Sequence, residues 1–332
     1  MNKNLLSMFN KKDLKLLYEL DSDCRQSDAE LGRKLKISKQ AVRYRIEKLI
    51  KGDWITTFVS VIDTYKLGYY KFKLYLSFTD ANKEKIREIL NYLLKDPRTE
   101  WIASCSGKWD IIAGHIVKTP YVFHQAIRDL EEKYSQYISS KEITISLGVP
   151  HWKKEYLLDK KPPYSYYIQG GSLGNYELDD TDERIIKLIV NNARMSLIEI
   201  ARRLKLSVRI VKYRLQKLKK DKIILQQRIL FNFPRLNYIF CKALIKFKNL
   251  NKEKYDKFMA ACSDQPNLVY TIDCIGSWDI ELDFEMHDFN SFHRVMLELR
   301  DKFSDIIAHY DFVIVLSEDK LDYYPGADPQ YE

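Results

Sequence analysis

The sequence predicts an α+β chain: two tandem copies of a winged helix-turn-helix, each followed by a βαββαβ domain. Three observations carry this. The chain repeats itself without gaps, each copy opens with the same capped three-helix pattern, and strand and helix patterns then alternate in the same order. The offset is 169. It takes Ser38 to Ser207, Arg25 to Arg194, Val42 to Val211, Tyr44 to Tyr213, Arg45 to Arg214 and Leu49 to Leu218. Far downstream it still takes Gly107 to Gly276, Trp109 to Trp278, Asp110 to Asp279 and His124 to His293. The register holds from about Asp13 to Leu147, so the chain is read as one two-part unit duplicated.

In the first copy Asp13 opens a helix with Leu16, Leu17 and Leu20 on one side. Ser27 with Glu30 three residues later makes a capping box for a second helix carrying Leu31 and Leu35. Ser38 then caps a third helix whose Val42, Ile46 and Leu49 fall at helical spacing. Residues 54–62 (WITTFVSVI), rich in β-branched and aromatic side chains, read as a strand, the wing. The second copy repeats this with Ile185, Ile186 and Ile189, Ser196 with Glu199, Ser207 with Val211, Leu215 and Leu218, and the strand IILQQRILF. After each wing the elements run βαββαβ, the split βαβ arrangement of ferredoxin-like folds. The expected division is 1–62 helix-turn-helix, 63–150 βαββαβ, 151–178 linker, 179–231 helix-turn-helix, 232–322 βαββαβ and 323–332 tail. Paired prolines and glycines mark the linker, and its tyrosines suggest that it packs against the rest.

Composition narrows the function. The 332 residues are 45% hydrophobic and 30% charged, the profile of a folded soluble chain. No apolar run reaches the ~18 residues of a membrane span. The start, MNKNLLSMFNKKD, is too short and too soon charged for a secretory signal. Five cysteines without a CxxC pair read as reduced thiols in a cytoplasmic protein. The six histidines form no HExxH or HxxxH pair, and no cysteine sits at ligand spacing, so no metal site and no cofactor are expected. Neither a glycine-rich phosphate loop nor a nucleophile elbow occurs, which argues against an enzyme. Cys105 and Cys274, matched just before a turn, read as small buried strand residues.

The net charge of +9 favours a polyanionic partner, and the third helices concentrate it. In a helix-turn-helix the third helix enters the major groove of double-stranded DNA, and side chains near its N-terminus reach base edges. Ser38, Lys39, Gln40, Arg43 and Tyr44 lie off the apolar stripe, with Lys48 behind them placed for phosphates. Their counterparts are Ser207, Val208, Arg209, Lys212, Tyr213 and Lys217. Arginine and glutamine suit bidentate readout of guanine and adenine. The alternative for one such helix is a merely solvated basic face; two copies in the same capped frame favour DNA. Arg45 and Arg214 sit beside the stripe, where a structural salt bridge or a phosphate contact competes with base readout. Because Lys39–Gln40 becomes Val208–Arg209, the two copies should prefer different half-sites.

The whole pattern, with the turns Gly107-Lys108-Trp109-Asp110 and Gly276-Ser277-Trp278-Asp279 between the second and third strands, resembles the Lrp/AsnC (feast/famine) family of transcription regulators. The resemblance spans nearly the whole chain, twice over. It implies that the βαββαβ (RAM-type) domain dimerises and binds a small effector, often an amino acid, near that turn. The implied effector residues are Gly107, Lys108 and Asp110, and Gly276, Ser277 and Asp279. Against this, a hairpin turn needs glycine anyway, and its aspartate can bond local backbone. Glu281, Asp283 and Glu285 share one strand face. They invite either a cationic effector or cross-strand ion pairs with Lys242 and Lys246, and the ion pairs are the simpler expectation. The partners expected are double-stranded DNA, a small effector, and further copies of a chain that already pairs within itself. The rivals are a sirohaem decarboxylase-like enzyme of the same architecture and a sequence-tolerant architectural DNA binder.

Overall fold

The computed structural model describes residues 9–158 and 166–326; the PPYS stretch of the linker and the end of the tail lie outside the described residues. In the first head α1 (Lys11–Ser22), α2 (Asp28–Leu35) and α3 (Lys39–Lys51) form the expected three helices. Each starts on a side-chain cap: Asn10, Ser27 and Ser38. Leu16, Leu17, Leu20, Leu31, Leu35, Val42, Ile46 and Leu49 are buried together. The second head repeats this with α6 (Asp180–Ile189), α7 (Leu197–Leu204) and α8 (Val208–Lys220), capped by Asp179, Ser196 and Ser207.

The wing is not built as the sequence suggests. A strand alone leaves its backbone groups unpaired, and among the described residues neither head contains a second strand to pair with. Instead β1 (Ile55–Ile62) of the first copy pairs antiparallel with β7 (Ile224–Phe231) of the second. Val59 faces Arg228, its own counterpart at the offset of 169, so the pseudo-twofold passes between them. The strands also exchange cores. Ile229 and Phe231 complete the first head, while Val59, Val61 and Ile62 complete the second. Matched backbone bonds tie the exchange, from Cys24 N–H to Gln227 O and from Ala193 N–H to Phe58 O. At the centre the buried Arg228 guanidinium holds the buried Asp21 carboxylate at 2.7 Å.

Each βαββαβ unit forms as expected. The first comprises β2 (Tyr70–Phe78), α4 (Lys83–Lys95), β3 (Thr99–Gly107), β4 (Ile111–Val117), α5 (Pro120–Tyr134) and β5 (Ile138–Trp152). The second comprises β8 (Ile239–Phe247), α9 (Lys252–Ser263), β9 (Leu268–Gly276), β10 (Ile280–Met286), α10 (Phe289–Lys302) and β11 (Ile307–Leu321). The last strand of each is long enough to serve both halves. Along its first part β5 pairs with β2 of its own unit, and further on with β9 of the other. In the same way β11 leaves β8 for β3. Together the eight strands close into one barrel, with β6 (Tyr166–Gly170) added on β5. Closure leaves the barrel strands no free edge.

The segment expected to be a linker therefore contributes a strand. Gly170 and Gly171 end it, both at positive φ, where residues with a Cβ are strained. Gln169 donates to Ile62 O and Tyr176 OH to Asp221, which fastens the segment to the wing and to the second head. Part of the tail packs as well: Tyr323 and Tyr324 are buried in the core of the second head.

Candidate nucleic-acid interface

The third helices are positioned by what they bury. Val42, Ile46 and Leu49 of α3 and Val211, Leu215 and Leu218 of α8 turn inward, leaving the rest of each helix to solvent. The Ser38 and Ser207 hydroxyl oxygens accept the Ala41 and Ile210 N–H groups at 3.1 and 3.2 Å, fixing where each helix begins. Lys39, Gln40, Arg43, Tyr44 and Lys48 are exposed, as are Val208, Arg209, Lys212 and Tyr213. Tyr44 and Tyr213 keep 68% and 62% of their surface open, high for aromatic rings with no structural duty there. Cationic side chains, a ring and a helix N-terminus together make a surface complementary to phosphates and base edges.

Three basic residues of the third helices carry other contacts. Lys217 is half-buried, and its ammonium lies 5.7 Å from the centre of the Tyr176 ring, turned toward the linker segment. Arg45 pairs with Asp13 and Arg214 with Asp179, the structural alternative that the sequence left open. Both therefore tie the third helix to the start of the first. Arg43 stays outward, with its Nε 3.5 Å from Asp28, an aspartate that also receives Arg194 of the other head at 2.9 Å. Ile198 and Ile210, not among the expected contacts, stand exposed at the starts of α7 and α8. An apolar residue off the buried stripe was the available signal, and such a side chain can contact a thymine methyl.

The two glycine turns are not equivalent. In both, the tryptophan is buried at the barrel core, where Tyr75 meets Trp109 and Trp278 at ring separations of 5.8 and 4.6 Å. In both, the aspartate accepts a backbone N–H from the end of a neighbouring strand instead of from its own turn: Asp110 from Phe78 at 2.8 Å and Asp279 from Phe247 at 2.7 Å. Lys108 meets Asp311, and Ser277 donates to Glu142, matched contacts to the crossover strand of the other half. The Gly107–Lys108 turn borders an open groove of about 810 Å³ that also holds His293, Arg300 and His309. The Gly276 turn is exposed too, but a Cβ there would meet Ile143 O at 2.7 Å.

Inside the barrel the acidic strand face is neutralised. Lys242 reaches Glu281 and Asp283 at 2.8 and 2.6 Å, and Lys73 of the first copy reaches Glu281 at 2.5 Å. Lys154 and Tyr156 hold Glu285. Lys246 differs from expectation: it pairs with Asp279 at the turn, because its position on β8 lies beyond the acids. Burial alone would raise the Glu281 pKa, but the Lys242 and Lys73 ammoniums outweigh it and hold the carboxylate well below its usual range. All five cysteines are buried, and burial pushes the Cys105 thiol up to about 12. Among the described residues no cluster of histidine, cysteine and acid could hold a metal, and no helix is long and apolar enough to cross a membrane.

Comparison with known proteins matches both heads to family models. Residues 9–50 match the AsnC-type helix-turn-helix domain, and residues 178–224 match a winged helix-turn-helix DNA-binding domain. An HTH-type transcriptional regulator of Pyrococcus furiosus is 28% identical over 145 residues, 44% of this chain and 96% of its own length. The HTH-type transcriptional regulator Ptr1 of Methanocaldococcus jannaschii is 30% identical over 111 residues, 33% of this chain and 74% of its own length. Among solved structures the siroheme decarboxylase NirDL superposes with a TM-score of 0.62, covering 94% of this chain and 93% of its own. At 13% identity that likeness speaks to the tandem fold alone.

Proposed function

The chain belongs to the Lrp/AsnC family of helix-turn-helix transcription regulators, and we propose that it binds a specific site on double-stranded DNA as a dimer within one chain. One observation carries this reading: two capped basic third helices stand exposed on heads whose wing strands complete each other's cores. Strand exchange makes the two heads one unit. Binding by one third helix then presents the other at an effective concentration of roughly millimolar, as for any short tether.

The heads read DNA differently. Lys39, Gln40 and Arg43 offer charged and amide donors, whereas Val208, Arg209 and Ile210 offer one guanidinium between apolar groups. The operator is therefore asymmetric, with unlike half-sites about one helical turn (~34 Å) or a multiple apart. Selection of bound duplexes from a random library tests this. Recovery of two distinct half-sites is expected; a perfect palindrome would overturn it. A small effector would act on the spacing of the heads through the barrel beneath them. The groove beside Gly107 and Lys108 is its candidate site at the turns, since Asp110 and Asp279 already hold backbone N–H groups. Mixing the protein with sirohaem and following its absorbance separates this reading from the decarboxylase one. An unchanged spectrum is expected, and decarboxylation would refute it.

A further inference from the structure

The barrel interior holds a cavity of about 90 Å³ between the two halves, lined by Lys71, Lys73, Trp101, Lys242, Asp283 and Glu318, with Ser146, His151, Tyr270 and Tyr323 also on its wall. A water needs roughly 10–15 Å³ by this measure, so the space suits a molecule of about five to eight non-hydrogen atoms. Both halves and the segment between them contribute, so the cavity exists only in the paired chain.

Its charges do not balance. Lys71 holds Glu100 at 2.7 Å, while Lys73 and Lys242 share Glu281 and Asp283. Three lysines thus face four carboxylates, because Glu318 makes no ion pair among the described residues and only accepts the Trp101 Nε1–H at 2.9 Å. Neighbouring pairs are closed: Lys154 is with Glu285 and Arg228 with Asp21. Burial raises the pKa of both Asp283 and Glu318. One further wall group points to a ligand. The Ser146 hydroxyl, on a side chain 3% exposed, has no hydrogen-bond partner among the described residues. Burial holds His151 neutral, with its Nδ1 2.8 Å from the Tyr167 hydroxyl. Trp101, Phe240, Tyr270 and Tyr323 add rings to a wall that also holds Val149, Ile272 and Leu321; aromatic faces attract cations, as the Lys73 and Lys242 ammoniums near the Trp101 ring show.

We propose that this cavity binds a small organic ammonium, its charged end between Glu318 and Asp283 and its apolar part against Trp101, Tyr270 and Tyr323. A ligand carboxylate would find no free cation there, since each lysine on the wall is paired. A surface groove of about 360 Å³ shares Glu318 and Leu321 with the cavity wall. The groove runs between barrel strand β11 and Thr56, Thr57 and residues 230–233 of the wing. An occupant would thus press on the joint between barrel and heads. As the class of an effector, this rests on the regulator reading above; the binding itself does not.

Calorimetric titration of the full chain with n-butylammonium chloride, without DNA, tests the site. Saturable binding is expected, with none for butanol or butyrate at the same concentration. Glu318→Gln keeps an acceptor for Trp101 and removes the charge, and should weaken binding at least tenfold while leaving the melting temperature of the free protein unchanged. Ser146→Val, the residue of the second copy at this position, should weaken it severalfold. No heat with butylammonium, equal binding of butanol, or undiminished affinity in Glu318→Gln would overturn the proposal. Since no DNA is present, such a failure leaves the DNA-binding reading standing.

Discussion

Replacing Glu281 with leucine removes the anion on which the two halves of the barrel converge. Glu281 is fully buried and receives Lys73 at 2.5 Å, Lys242 at 2.8 Å and the Tyr75 hydroxyl at 2.6 Å. Two of those donors, Lys73 and Tyr75, belong to the other copy. Lys242 would keep Asp283, but Lys73, its side chain only 13% exposed, would be left as an ammonium without its partner. Removing one member of a buried pair costs about 3–5 kcal/mol, because the remaining charge stays desolvated. Equilibrium urea unfolding, followed by tryptophan fluorescence, should show the midpoint fall by roughly 1–2 M at a slope near 3 kcal/mol per M. Adding Lys73→Met to Glu281→Leu removes the stranded charge and should recover at least half of the loss. The pH dependence has a definite sign. The folded Glu281 pKa is depressed, so its contribution is complete above the unfolded value and fades as pH falls through the folded one. The variant and the parent should therefore converge in acid. A loss under about 1 kcal/mol at neutral pH, or a second loss on adding Lys73→Met, would refute the role given to this network.

Two other perturbations test buried polar groups. His115 is buried, and burial lowers its pKa to about 4, so the unfolded chain binds the extra proton first and stability should fall as pH drops from about 6.5 to 4. His115→Phe installs the second copy's residue, Phe284, which meets Phe292 as His115 meets Phe123; it should flatten that slope, removing up to roughly 3 kcal/mol of acid loss. Arg228→Met strands Asp21 at the wing axis and should cost about 3–5 kcal/mol in urea unfolding, with DNA affinity falling as the heads lose their fixed spacing. A variant as stable as the parent would show that this pair does not hold the joint.

Local features were legible in the sequence wherever periodicity and caps decide structure. Ser27 with Glu30 and Ser38 before Val42 mark helix starts that the structure reproduces, because capping and a buried stripe are short-range. The βαββαβ order was readable for the same reason. Partners were not readable. That Val59 faces Arg228, or that β5 leaves β2 for β9, depends on which copy supplies the neighbouring edge, and strand patterns are alike in both cases. The acidic face of β10 was visible as a pattern, and Lys242 as its partner. Lys73 and Lys154 were invisible because closure of the barrel, not sequence proximity, brings them there. Likewise Lys217 reads as a free cation until the segment after β6 places Tyr176 beside it.

The most direct measurement is retention of a selected duplex by the chain in which Arg43 and Arg209 are both changed to alanine. Both side chains are exposed and outside the buried stripe, so the variant should melt with the parent. If α3 and α8 lie in the major groove, affinity at physiological salt should fall at least a hundredfold, and the salt dependence of binding should become shallower. Undiminished retention by a folded double variant would contradict the account.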